Sequence, residues 1–97
     1  MSNSTPLDAD AVRLGLAALP GWTGGPAGIA KTFMFPDAAE AERFAAAVAL
    51  AADQRDHHPD LEAEGSTVIL VLSTHSAGGV TQLDLDAAAA FEALAAG

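Results

Sequence analysis

Apolar residues recur along the chain with two different periods. Residues 29–35 alternate, with Ile29, Phe33 and Phe35 on one side, which predicts a half-buried strand. Lys31 falls on that apolar side and breaks it near its start. Residues 67–73 are almost continuously apolar and β-branched, the pattern of a central strand. Elsewhere the period lengthens to three and four. Ala41, Phe44, Ala45, Val48, Ala49 and Ala52 form one stripe of a helix that opens at Pro36-Asp37, with Asp37 as its N-cap. It should end between Asp53 and Asp56, because Pro59 disfavours helical geometry at His58. Ala11, Val12, Leu14, Leu16 and Leu19 predict a shorter helix over residues 8–19, stopped by Pro20-Gly21. A last helix is expected over 81–96. Thr81 and Asp84 have the spacing of a capping box, and Phe91 and Leu94 supply its buried side.

The joints are equally marked. Residues 23–28 are rich in glycine and proline and are expected to be loop or turn, with Trp22 between that loop and the first helix. A short strand is expected at 61–64, a turn at Gly65-Ser66, and a loop around Gly78-Gly79. The order suits an α+β layer: an antiparallel sheet of about four strands, with two to three helices packed on one face. Phe33, Phe35, Phe44 and Phe91 then belong to the core, while Trp22 is either core or a subunit contact. At 97 residues, half of them apolar, the chain is expected to be a single domain over 1–97, with a frayed polar arm at 1–6.

Composition narrows the function. Cysteine is absent, so thiol chemistry and disulfides are ruled out. The start has no basic segment followed by an apolar run, and no stretch of 18 or more apolar residues occurs. A cytoplasmic protein without a membrane span is expected. The formal net charge is −9, and the only cations are Arg13, Lys31, Arg43 and Arg55. Nucleic acid binding needs clustered cations that this chain lacks, and an anionic membrane surface would repel it. A neutral or weakly charged small molecule fits better than a highly phosphorylated one.

Three histidines carry the candidate chemistry. His57 and His58 follow the second helix, and His75 follows the central strand, so all sit at the ends of rigid elements. Imidazole is the side chain best suited to moving protons near neutral pH. Singly, each has a plainer reading: His57 as a cation at a helix C-terminus, His75 as an ordinary loop residue. A metal site is not expected. Neighbouring side chains in an extended segment point to opposite sides, and compact metal motifs space their histidines by three or more residues.

Together the residues resemble a known family. Asp53-Gln54-Arg55-Asp56-His57-His58-Pro59, then Ser73-Thr74-His75, then Gly79-Val80-Thr81 and Asp84, are similar to the motif of the pterin-4a-carbinolamine dehydratases. The acid at Asp53, the His57-His58-Pro59 run, His75 and Asp84 all match, with the spacings intact. The resemblance extends over residues 14–94 and includes the strand before the second helix and Trp22. The chain departs from the pattern at Gly65, where the family usually has tyrosine or tryptophan, and at Lys31, where arginine is common. Asp53 is the shorter of the two permitted acids. An aromatic at position 65 would either pack on the pterin ring or lie on the sheet surface.

The resemblance implies a hydro-lyase that removes water from a 4a-hydroxytetrahydropterin to give the quinonoid dihydropterin, in pterin cofactor recycling, with no metal or redox cofactor. It implies His57 and His75 as the acid/base pair and His58 as a group that holds the substrate and its hydroxyl. Pro59, Ser73, Thr74 and Ser76 are expected around the substrate, with the Thr74 and Ser76 hydroxyls or amides at the polar edge of the pterin. Asp53 either orients an imidazole or is a helix-surface acid. Asp84, fourth in the capping box, is read as structural rather than catalytic. A homodimer or homotetramer is implied. So is a competing function, because relatives of this fold serve as dimerisation cofactors of transcription regulators or, lacking the histidines, as assembly modules for a carbon-fixing enzyme.

Overall fold

Register along the strands decides which residues face the helices. The computed structural model describes residues 5–96. In chain order the elements are α1 (Ala9–Leu16), β1 (Thr23–Gly25), β2 (Gly28–Met34), α2 (Ala38–Arg55), β3 (Asp60–Glu64), β4 (Thr67–Leu72) and α3 (Gln82–Ala96). One turn of 3-10 helix, His75–Ala77, lies between β4 and α3. The four strands form one antiparallel sheet in the order β1-β2-β4-β3. This is the α+β architecture expected from the pattern. The first four residues of the arm expected at 1–6 lie outside the described residues; Thr5 and Pro6 are exposed.

Alternation leaves one sheet face covered. Val68, Leu70 and Leu72 of β4 are fully buried, while Thr67, Ile69 and Val71 between them are not. Ile29 and Phe33 of β2 lie on the covered side, paired with Leu72 and Val68. The helices supply Val12 from α1, Ala41, Phe44, Val48 and Ala52 from α2, and Leu85, Ala87, Ala88 and Phe91 from α3. Full burial of a side chain such as Phe91 contributes about 2–3 kcal/mol. Phe33, Phe44 and Phe35 stack in series, with ring centroids 4.7 and 5.1 Å apart. Asp8 and Asp37 cap α1 and α2, each accepting the N–H three residues on.

Four expectations are corrected. Thr23–Gly25 is a strand, not loop: it pairs with β2, Thr23 opposite Ala30 and Gly25 opposite Gly28. Glycine content hid it, yet glycine permits it, since Gly24 has φ +134° and a Cβ there would strike the Gly28 carbonyl oxygen. Helix α1 stops at Leu16, because the following turns tighten to three-residue bonds (Ala18 to Gly15, Leu19 to Leu16) ahead of Pro20. Leu94 is not buried with Phe91 but 38% exposed, in the last turn of α3. Lys31 does not break the core face. Its Nζ reaches both carboxylate oxygens of Glu92 on α3, at 2.8 and 2.9 Å, and the Pro20 carbonyl at 2.9 Å. Trp22 is core: its ring is buried edge-on against Phe33, and its Nε1 donates to the same Glu92 at 3.0 Å.

Gly65 sits at the tip of the β3–β4 hairpin, in a two-residue turn between the paired Glu64 and Thr67. Its φ of +60° is the left-handed conformation that such a turn requires of its first residue. A Cβ there would meet nothing within 4 Å, so the missing aromatic leaves no hole.

Candidate active site

The three histidines lie at the same end of the sheet because β3 and β4 are antiparallel neighbours. His57-His58-Pro59 leads into β3, and Ser73-Thr74-His75 leaves β4, where Asp60 pairs with Val71. Gly65 lies at the other end. Five residues of β3 separate the two, about 16 Å at the rise of an extended strand.

How α2 ends sets the direction of His57. The His57 N–H bonds the Ala52 carbonyl at 3.1 Å, and the Asp56 N–H bonds the Asp53 carbonyl at 3.2 Å. Asp56 has φ 55°, in the left-handed region. These are the two bonds of a Schellman motif, with aspartate where glycine is usual. The chain leaves the helix sharply, and the His57 ring turns inward, its side chain 14% exposed.

There His57 Nε2 meets Asp84 Oδ1 at 2.6 Å. Asp84 is completely buried at the start of α3. Its other oxygen accepts the Thr81 N–H at 2.9 Å, the reciprocal arm of the expected capping box, and the Thr74 hydroxyl at 2.8 Å. Thr81 Oγ1 accepts the Leu83 N–H at 3.2 Å. Among the described residues no buried side-chain polar atom lacks a partner. Asp84 is therefore a helix-capping acid and the partner of His57 at once. The spacing of 27 residues between them gave no local signal.

His58 is not part of this buried contact. Its Nε2 meets Asp53 Oδ1 at 2.7 Å, with side chains 57% and 72% exposed, so the pair is a surface contact worth little stability. His75 and Ser76 are exposed in the 3-10 turn, and Ser73 and Pro59 are half-buried. Among the described residues the exposed His75 ring makes no hydrogen bond with another side chain. Thr74 differs from its neighbours. It is buried, and its hydroxyl, N–H and carbonyl are all bonded within the protein, which leaves no polar group turned outward to a pterin edge. Among the described residues, no group of three or more histidine, cysteine or acidic side chains is placed to hold a metal ion. No helix is long and apolar enough to cross a membrane. Two grooves, about 400 Å³ between Phe44 and Leu94 and about 450 Å³ between Leu14 and Leu85, lie away from the histidines. Neither holds a histidine; the buried Asp84–His57 contact marks the candidate site.

Comparison with known proteins agrees with the motif. The profile of the family described as pterin 4 alpha carbinolamine dehydratase matches residues 5–94. A Rhodopseudomonas palustris protein, provisionally named a pterin-4-alpha-carbinolamine dehydratase, is 51% identical over 83 residues, 84% of this chain and 82% of its own. A Bradyrhizobium protein with the same provisional name is 47% identical over 93% of this chain and 92% of its own. The crystal structure of a transcriptional coactivator/pterin dehydratase from Brucella melitensis superposes with a TM-score of 0.89 at 35% identity, covering 94% of this chain and 99% of that one. A pterin dehydratase-like protein identified as a RuBisCO assembly factor in the alpha-carboxysome superposes with a TM-score of 0.64 at 25% identity, covering 76% and 86%. With the profile spanning nearly its full length and relatives near half identity, this chain belongs to the pterin 4 alpha carbinolamine dehydratase family.

Proposed function

We propose that this protein dehydrates a 4a-hydroxytetrahydropterin to the quinonoid dihydropterin in pterin cofactor recycling. The C4a–oxygen bond breaks, and the departing hydroxide takes a proton to become water. A ring N–H gives up its proton, and its electron pair enters the new double bond; no electrons are gained or lost overall. The observation that carries this reading is the buried Asp84 carboxylate on His57 Nε2. A carboxylate there holds the ring in one orientation. That suits His57, through Nδ1, to the base step. His75, exposed on the neighbouring strand end, is suited to deliver the proton to the leaving hydroxyl. His58, beside Asp53, holds that hydroxyl.

The proposal includes self-association to a dimer or tetramer. Leu14, Leu50 and Met34 are 72%, 61% and 81% exposed, and β1 and β3 each have one edge unpaired within the sheet. Light scattering should report a mass at least twice 9.7 kDa; a monomer at micromolar concentration would remove this part of the proposal.

The second reading is a non-catalytic assembly or binding module, favoured by the likeness to the RuBisCO assembly factor. A stopped-flow assay separates the two. The 4a-hydroxytetrahydropterin is generated in situ and its loss followed by ultraviolet absorbance. Wild type should accelerate the loss, and His57→Ala and His75→Ala should each lower the rate on the order of a hundredfold. A wild type no faster than buffer would leave the binding module as the better reading.

A further inference from the structure

The hydroxyls around Asp84 have one consistent direction of donation. A carboxylate has no hydrogen to give, so Thr74 Oγ1, 2.8 Å from Asp84 Oδ2, is the donor of that bond. Thr74 has a single O–H, which that bond uses. Its 2.9 Å contact with Thr81 Oγ1 is therefore filled by the Thr81 hydroxyl donating to Thr74. Thr81 Oγ1 in turn accepts the Leu83 N–H. The chain runs Leu83, Thr81, Thr74, Asp84, and every link points at the same carboxylate. On the far side, Asp84 Oδ1 faces His57 Nε2, which by the same reasoning carries the hydrogen. The neutral His57 ring is then the Nε2–H tautomer, with its lone pair on Nδ1.

Thr74 also governs the second histidine. Its N–H donates to the Gly79 carbonyl at 2.9 Å, and its carbonyl accepts the N–H groups of Ala77 and Gly78, each at 3.0 Å. Those bonds close the 3-10 turn that carries His75. One buried residue thus touches the partner of His57 through its side chain and frames His75 through its backbone.

We propose that Thr74 is the positioning residue that couples the two histidines, its hydroxyl locking the Asp84 carboxylate and hence the His57 tautomer. Valine in its place keeps the shape and β-branching but loses the donor and the acceptor. Serine keeps both. The kinetic consequence rests on the dehydratase reading; the tautomer consequence does not.

The test uses the full chain with ¹⁵N-labelled histidine, as wild type, Thr74→Val and Thr74→Ser. Long-range ¹H–¹⁵N spectra above the histidine titration range read the tautomer of each ring. Wild type and Thr74→Ser should show His57 as Nε2–H. Thr74→Val frees the Asp84 carboxylate to turn away from Nε2 and should show a mixture, with kcat about tenfold lower, as for the loss of one hydrogen bond to a charged group, and KM within twofold. Thr74→Ser should restore kcat. A Thr74→Val protein with the wild-type tautomer and kcat would overturn the proposal. If wild type shows no dehydration, the functional reading fails and the tautomer spectra alone decide the role of Thr74. Should Thr74→Val not fold, the wild-type spectrum decides. A slowly exchanging Thr74 hydroxyl proton close to Thr81 supports the lock, and a rapidly exchanging one refutes it.

Discussion

Replacing Asp84 by asparagine should separate stability from turnover. Asparagine has nearly the same shape and fits the same buried space. Its one carbonyl oxygen will take the place of Oδ2, where the Thr81 N–H and the Thr74 hydroxyl both donate, at 2.9 and 2.8 Å. The amide nitrogen then faces His57 Nε2 as a donor. His57 can meet it only by moving its own hydrogen to Nδ1. All three hydrogen bonds survive, but each changes from charge-assisted to neutral. Charge-assisted bonds are roughly twice as strong, so the three bonds weaken by about 3 kcal/mol, the lower cost of burying a neutral amide offsets part of this, and the folded state loses about 1–2 kcal/mol in total. For a chain of this size that lowers Tm by about 5–15 °C and leaves the protein folded at room temperature. Turnover suffers far more, because the lone pair assigned to the base step has moved off Nδ1. A fall in kcat of a hundredfold or more is expected from the wrong tautomer. The stopped-flow assay gives kcat, thermal unfolding followed by circular dichroism gives Tm, and long-range ¹H–¹⁵N spectra give the tautomer. Asp53→Asn serves as the control, since that carboxylate meets its histidine in solvent and should change kcat by less than about threefold. If Asp84→Asn keeps kcat within threefold of wild type, or leaves His57 as Nε2–H, the argument from hydrogen-bond direction is wrong.

Three further outcomes follow from the fold. Glu92→Ala removes the partner of both Lys31 and Trp22, leaving a half-buried ammonium against the Phe33 ring, and should cost about 2–3 kcal/mol in urea unfolding with a change in Trp22 fluorescence; a loss below 0.5 kcal/mol would mean the cluster is solvated. Asp56→Gly relieves a left-handed residue without touching the Schellman bonds and should raise stability by about 1 kcal/mol, whereas a lowered Tm would mean that the aspartate side chain supports the turn. Gly65→Tyr should cost about 1 kcal/mol through its positive φ yet leave KM unchanged, because the hairpin tip is remote from the histidines; a KM several-fold lower would put the tip of a neighbouring copy at the site.

Much of this was readable in the residues, and what was missed has identifiable causes. The strand over residues 29–35 and the stripe from Ala41 to Ala52 are long and periodic, so local pattern and tertiary burial agree there. The Thr81–Asp84 box is local too, and α3 begins where that spacing predicts. β1 was illegible because Thr23-Gly24-Gly25 has no strand propensity of its own; pairing with β2 makes it a strand. Lys31 looked like a flaw because its partner Glu92 is 61 residues away and on another element. The site divides in the same way. Its members and their common end follow from spacing and an antiparallel hairpin. The second role of Asp84 does not, since a capping acid and a histidine partner have the same sequence signature. Thr74, between half-buried Ser73 and exposed His75, carries no sign in the sequence that its hydroxyl turns inward.

Every residue expected at the site lies in the stretch from Asp53 to Asp84, and the hairpin at its centre turns on Gly65 in two residues. The consequence is one of folding order. Closing that hairpin requires little loop entropy, and the end of α2 and the start of α3 lie only four and nine residues from it in sequence. Strand β2, by contrast, joins β4 from across the whole of α2, with Phe33 opposite Val68. Non-local pairings of that kind form slowly. In refolding, the imidazole signals of His57 and His75 should reach native positions before the Trp22 fluorescence that reports the docking of β2 and Glu92.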